Sequence, residues 1–359
     1  MARRKILEIS SYPPPRAGWG VRVQFLKREL EQQGHDCVVL NIGTSRRIPS
    51  AEYETVLGGV DYLRKVWRFS RRGFVVHVHA NGTSPKGLAL GIAAQLLNLV
   101  CGRRSFLTFH AGVEQIYFPK QKSGALLPMF RSLFALPRWI ICNSEEVKAK
   151  IVEYGVSPSK IVPIPAFSRQ YLDVPGGADA LPDDVEAFYR RFSEVIFCYI
   201  KMRPLFFPEA TLEGFARLAS RRTVGLMLCG VAGNMEPGIW PAVQNRLAQP
   251  DLRDKVLVVD DLSHSQFLTT LARSAVCLRT HLSDGVCSSV LEALSLGVPV
   301  VACENGNRPP GVVTYAARDV DGLAATLEDV LKRRSEIVER LERPEVRDTL
   351  AEEVELLTA

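Results

Sequence analysis

The eight cysteines of this chain include no Cys-x-x-Cys pair and lie scattered through expected strands and helices. That pattern suits reduced thiols in a cytoplasmic protein rather than a disulfide framework. No signal peptide is expected, because MARRKILEIS passes from a short basic start directly into a strand. The longest apolar run, Leu88 to Cys101, contains Gln95 and Asn98 and falls short of the ~20 residues a membrane span requires. The pattern G-x-G-x-x-G is missing after the first strand, which argues against a dehydrogenase. Aromatic residues make up only 8% of the chain and do not interleave with basic ones, so no nucleic-acid partner is expected. No third carboxylate follows the pair Asp260-Asp261; it reads as loop or helix-cap chemistry, and neither a metal nor a cofactor is expected.

With 359 residues, 47% of them hydrophobic, the chain can bury two cores of ordinary size. Residues 1–170 carry 25 Lys+Arg against 11 Asp+Glu, and residues 171–359 carry 20 against 28. A basic first half and an acidic second half point to a partner on the basic side. Short strands alternate with helices throughout, which predicts parallel sheets with helices on each face.

Lys5 to Ser10 predicts a strand, and SYPPPRAGWG a loop feeding a helix on which Val23, Leu26 and Leu30 share a face. Gly18 and Gly20 stand where backbone either approaches a phosphate or simply turns. Gly34 ends the helix and His35 to Ile42 completes a βαβ unit. FVVHVHANG ends a strand at His79, and RSFLTFHAG ends another at His110. Residues just beyond the carboxyl ends of parallel strands line the ligand crevice of such sheets, so both histidines are site candidates beside the plainer reading as structural histidines. Asn143 and Ser144 predict a helix cap. Asp173 to Asp184 reads as a linker. Val195 to Ile200 opens a second domain, with Lys201 and Arg203 just beyond its first strand, and the tail from Val320 reads as a solvated helical cover.

The stretch richest in chemistry is SDGVCSSVLEALSLGVPVVA, Ser283 to Ala302. Asp284 follows a strand, a helix is expected to open at Gly285, Glu292 stands two turns along it, and Gly297 leads into the next strand. At ~1.5 Å per residue the two carboxylates lie roughly 12 Å apart along the axis, a span that suits a sugar, a diphosphate and a ribose. Between them the first-turn N–H groups of Val286, Cys287 and Ser288 suit a phosphate.

These residues resemble the nucleotide-sugar site of retaining glycosyltransferases of the two-Rossmann GT-B type (glycosyltransferase family 4-like, glycosyl transferases group 1). That site carries E-G-F-x5-E followed by A-x2-x-G-x-P-V-V; here the reading is D-G-V-x5-E, then Ala293, Leu294, Gly297, Pro299, Val300 and Val301. Thr108-Phe109-His110-Ala111-Gly112 resembles the T-x-H-x-G of the same family, and Gly18-Trp19-Gly20 its glycine-rich first loop. The resemblance implies that Glu292 holds the ribose hydroxyls, Asp284 meets the donor sugar, and His110 contacts donor sugar or acceptor. The family grips the donor diphosphate with Arg and Lys in G-R-x4-K-G. Here Lys201 and Arg203 are the available cations, since the position of the family's Lys falls near Phe206 or Phe207. Asp for Glu at 284, Ala166-Phe167 for Asn-Gly and Pro310 for Glu are further departures.

The expected fold is α/β, with two Rossmann-like domains facing across a cleft: an acceptor-side domain at 1–172, a linker at 173–190, a nucleotide-sugar-binding domain at 191–335 and a helical tail at 336–359. By resemblance, a sugar passes from a nucleotide sugar to an acceptor glycan, lipid-linked sugar or small molecule with retention of configuration. The expected catalytic set is His110, Asp284, Lys201 and Arg203, and the donor set Gly18, Gly20, Gly285, Val286, Cys287, Ser288 and Glu292. A nucleotide-sugar epimerase of the same architecture and a weakened relative acting as a binding partner are the alternatives. In DYLRKVWRFSRR at 61–72, Arg64, Arg68 and Arg71 share a helical face with Leu63, Val66 and Trp67 on its flank, the pattern of a helix lying on an anionic bilayer.

Overall fold

The computed structural model describes residues 3–13, 18–113, 115–172, 179–231, 235–260, 262–282 and 287–359. The chain divides into two compact units, Met1–Gln170 with Arg347–Ala359, and Tyr171–Val346.

In the first unit the strands β1 (Lys5–Ser10), β2 (Asp36–Asn41), β3 (Val75–Ala80), β4 (Phe106–Phe109), β5 (Trp139–Cys142) and β6 (Ile161–Pro163) alternate with helices α1 (Gly18–Gln32), α2 (Gly59–Arg71), α3 (Pro85–Val100), α4 (Lys120–Ser123), α5 (Leu127–Ala135) and α6 (Glu145–Val152). The strands form one parallel sheet in the order β2-β1-β3-β4-β5-β6. Strands covered by helices on both faces read as unbroken apolar runs, and β5 does so, while β4 is broken only by Thr108. β1 and β3 do not, because Glu8, His77 and His79 interrupt them and are nevertheless buried. The sheet order turns back at the β1–β3 pair, where such folds place their ligands.

In the second unit β7 (Val195–Tyr199), β8 (Gly225–Cys229), β9 (Val256–Val259), β10 (Val276–Arg279), β11 (Val300–Cys303) and β12 (Val312–Tyr315) alternate with α7 (Asp183–Arg191), α8 (Pro208–Ala219), α9 (Ile239–Leu247), α10 (His264–Arg273), α11 (Ser288–Ser295), α12 (Val320–Lys332) and α13 (Arg334–Arg340). The order β12-β11-β10-β7-β8-β9, again all parallel, is the 3-2-1-4-5-6 arrangement of a dinucleotide-type Rossmann sheet, with its switch point between β7 and β10. One face packs under Leu212, Phe215, Leu323 and Leu327, the other under Phe188, Val290 and Leu294.

Three expectations meet a different structure. The segment expected as linker contains α7, whose first turn carries Asp183, Asp184 and Glu186 and whose last carries Arg190 and Arg191, the charge order a helix dipole favours. Val185 and Phe188 anchor it in the core of the second unit; residues 173–178 lie outside the described residues. The tail does not stay with the second unit. Its last helix, α14 (Thr349–Thr358), buries Leu350, Val354 and Leu357 in the first, and Arg4 ties its end through the carbonyl oxygens of Thr358 and Ala359. On α2, Val66 is not on the flank: with Tyr62 and Phe69 it faces the core, while Val60, Leu63 and Trp67 are exposed beside Arg64, Arg68 and Arg71.

Candidate functional sites in the two units

At the switch point of the first unit, β1, β3, β4, α1 and α14 close around a buried polar network. Alternation along β3 turns His77 and His79 to one side of the sheet. Register sets His77 opposite Glu8, and His79 opposite Thr108. His77 Nδ1 is 3.0 Å from Glu8 Oε1 and His79 Nε2 is 2.7 Å from Glu8 Oε2. His77 Nε2 reaches Thr108 Oγ1 at 2.8 Å, and His79 Nδ1 reaches His110 Nε2 at 2.8 Å. Thr108 donates to Glu353 of α14 at 3.3 Å, and Arg22 of α1 donates to the same carboxylate at 2.7 Å. Arg22 further donates to the carbonyl oxygens of Ala166 and Thr349. Trp19 stacks on the His110 ring at 4.6 Å and 13°. Gly20 brings α1 against the loop after β1, where a Cβ would touch Pro13 and the Ser11 carbonyl at 3.4 Å.

Burial would raise the Glu8 carboxyl, but the charges and hydrogen bonds of His77 and His79 hold it at about 2. Burial pulls His77 down, and Glu8 with Glu353 more than reverses this, so His77 is raised. His79 is lowered by burial and by His77. His110 is pushed well down by burial, with His79, Arg22 and His77 adding. These shifts favour a charged pair of Glu8 and His77 and hold His79 and His110 toward their uncharged forms. Glu8, His77 and His79 are metal-ligand types whose atoms lie within 4.8 Å of one another. All four of their imidazole nitrogens, however, face protein hydrogen-bond partners, so their lone pairs and protons are already committed.

In the second unit, cations collect at the ends of β7 and β10. Lys201 donates to the Gly230 carbonyl at 2.5 Å and lies over the Tyr199 ring. Gly230 has φ +82°, and a Cβ there would meet that ring at 2.7 Å, so only glycine fits. Arg279, buried at the end of β10, donates to the Tyr199 carbonyl at 3.2 Å and lies over the rings of Tyr199 and Phe206. Arg203 is half-buried nearby; burial lowers the Lys201 ammonium, and the charges of Arg203 and Arg279 lower it further. Phe206 and Phe207 are both core residues.

The helix after β10 begins later than expected: α11 opens at Ser288 with Cys287 as its N-cap. The amides of Val290 and Leu291 return to the Cys287 carbonyl, which leaves Ser288 and Ser289 in the open first turn. Asp284, Gly285 and Val286 lie outside the described residues, as does Asp261. Glu292 is 5% exposed. Burial raises its carboxyl to about 8, and among the described residues no side-chain hydrogen bond or ion pair satisfies it. Its charge reaches Tyr199, whose hydroxyl is raised to about 12 by burial, with Arg279 opposing and Cys287 and Glu292 adding.

Solved structures of the same fold span almost the whole chain. A glycosyltransferase from Rickettsia africae ESF-5 aligns with a TM-score of 0.68 at 13% identity, covering 99% of this chain and 98% of that one. HepE from Anabaena, solved with UDP and glucose, aligns with a TM-score of 0.68 at 14% identity over 99% and 100%. A putative UDP-N-acetylglucosamine 2-epimerase from Listeria monocytogenes follows with 0.63 at 15% identity over 99% and 95%. No curated protein matches the sequence. Residues 17–167 match the family model Glycosyltransferase Family 4, and residues 208–333 match Glycosyl transferases group 1. The chain carries two glycosyltransferase family domains on a GT-B fold.

In this glycosyltransferase-family chain the expected residues divide between the units. Gly18, Gly20 and His110 lie in the first, where Trp19 stacks on the His110 ring, while Lys201, Arg203, Cys287, Ser288 and Glu292 lie in the second. Sequence reasoning did not single out Glu8, His77, Arg22, Glu353 or Arg279. The available signal was a lone charged or polar residue in an apolar strand: Glu in KILEIS, His at two alternate positions in VVHVHA, Arg in VCLR. No helix among the described residues is long and apolar enough to cross a membrane.

Proposed function

We propose that this chain transfers a sugar from a nucleotide-sugar donor to an acceptor glycan or lipid-linked sugar, with retention of anomeric configuration. The observation that carries the reading is the Glu292 carboxyl, 5% exposed and without a hydrogen-bond or ion-pair partner among the described residues, on the helix that follows β10. A buried carboxyl left unsatisfied is costly, and two ribose hydroxyls would satisfy it. Lys201, Arg203 and Arg279 supply positive charge for the diphosphate of the donor and for the charge that develops as it leaves, so the reading includes no metal. Retention is supported by the D-G-V-x5-E stretch alone, with Asp284 facing the sugar. His110 meets the donor sugar or the acceptor.

The acceptor is presented at the cytoplasmic face of an anionic membrane. Support comes from α2, where exposed Val60, Leu63 and Trp67 share a face with Arg64, Arg68 and Arg71, the composition of a helix that rests on lipid headgroups.

Thermal-shift screening against nucleotide sugars, followed by product analysis with the donor that binds, tests the reading. Transfer to an acceptor with the donor's anomeric configuration is expected. Inversion overturns retention, free epimerised sugar nucleotide favours the epimerase reading, and no nucleotide binding favours a partner protein without activity.

A further inference from the structure

We propose that Glu8 and His79 are positioning residues for His110, holding its proton on Nε2 so that its Nδ1 lone pair faces a hydroxyl group of the bound sugar or acceptor. A carboxylate only accepts, so the 2.7 Å contact with Glu8 Oε2 puts a proton on His79 Nε2. An uncharged His79 then has a bare Nδ1, and its 2.8 Å contact with His110 Nε2 requires His110 to donate. An uncharged His110 with its proton there presents Nδ1 as an acceptor. No partner occupies that nitrogen among the described residues.

His79 is uncharged because the negative charge of Glu8 is already matched. His77 Nδ1 donates to Glu8, and with the Thr108 hydroxyl proton directed to Glu353, His77 Nε2 donates to Thr108, the doubly protonated ring that the charges of Glu8 and Glu353 favour. His77 is therefore the imidazolium, and Arg22 matches Glu353. A second imidazolium at His79 would be an uncompensated charge in a site that is 0–4% exposed at Glu8, His77 and His79. The near-parallel Trp19 ring holds the imidazole plane of His110 in place. The chain of donors thus runs from His110 through His79 to Glu8 in one direction only.

The substrate contact rests on the transferase reading; the tautomer does not. Long-range proton–nitrogen correlation spectra of the 15N-labelled full chain at neutral pH read the ring nitrogens, with the His110 signals assigned by their loss in His110→Gln. The expected result is a protonated Nε2 and an unprotonated Nδ1 at His110. A protonated Nδ1, or a doubly protonated ring, overturns the proposal. His79→Phe, which keeps a planar ring and removes the acceptor, should mix the two His110 tautomers and lower kcat by about tenfold or more, the range of an orienting partner, with nucleotide Kd unchanged. His79→Gln, whose amide oxygen can still accept, should recover part of that loss. Unchanged tautomer and turnover in His79→Phe would make Glu8 and His79 structural only. Failure of the transferase reading would show separately, as no transfer by the unmodified protein, and the tautomer measurement would still decide this proposal.

Discussion

Replacing Glu292 by Gln should weaken nucleotide binding while making the protein more stable. Burial raises the Glu292 carboxyl from 4.5 to about 8, so at pH 7 roughly one molecule in ten carries it ionised. Only the ionised form accepts two ribose hydroxyls with the strength of charge-assisted hydrogen bonds. Apparent affinity scales with the competent fraction, so the Kd of the unmodified protein for its nucleoside diphosphate should tighten about tenfold between pH 7 and pH 9. Glu292→Gln removes this component and binds more weakly at pH 9. The nucleotide's own phosphate titrates identically against both proteins, so the difference between the two titration calorimetry series isolates Glu292.

The stability effect has the opposite sign. Between pH 4.5 and about 8 the folded chain keeps the Glu292 proton and the unfolded chain has released it. The folded state binds more protons there, so stability falls as pH rises. At 1.36 kcal/mol per unit the loss is about 4 kcal/mol by pH 8. Glu292→Gln escapes it, and should unfold at higher urea than the unmodified protein at pH 8, with the two converging below pH 4.5. Equal pH slopes in binding, or a variant less stable at pH 8, would refute the reasoning, because either result means that the carboxyl is already satisfied by protein groups.

Other expectations come from the first unit. His110→Ala should lower turnover about a hundredfold, the order for a positioned polar group in proton or hydrogen-bond chemistry, with nucleotide Kd unchanged; steady-state kinetics checks it. Glu353→Gln leaves the buried Arg22 guanidinium without its counter-charge and should cost about 3–5 kcal/mol in urea unfolding, whereas Arg22→Met with Glu353→Met should recover most of that loss. Arg64/Arg68/Arg71→Glu should abolish co-sedimentation with anionic liposomes at low salt, and equal recovery of the unmodified protein with neutral and anionic vesicles would remove the membrane from the reading.

How much of this was legible in the sequence depends on how locally each feature is encoded. Strands such as VIFCY and GLMLC lie in sheets buried on both faces, so the absence of polar alternation marks them. The helix that carries Glu292 was legible because it, the strand before it and the turn after it fall within twenty residues of chain. The start of α11 was not, because Cys287 adopts an extended backbone (φ −90°, ψ 101°) that no propensity of Gly-Val-Cys-Ser imposes. The tail was misread for a different reason. TLAEEVELLT has the charge of a solvated helix, and what buries Glu353 is Arg22, 331 residues away. A charge at such a position looks free until its partner is placed. The histidine network shows the same limit with a recoverable signal. Glu8, His77 and His79 each break an apolar strand, and a buried charge must find a partner or fail to fold. Three such breaks in two strands already require that those strands pair. Register is then constrained as well, since sliding β3 by one residue would turn both histidines to the opposite face. The polar interruptions of a parallel sheet therefore specify its pairing more tightly than its apolar residues do, because Val and Ile pack acceptably in many registers whereas a buried carboxylate is satisfied in few.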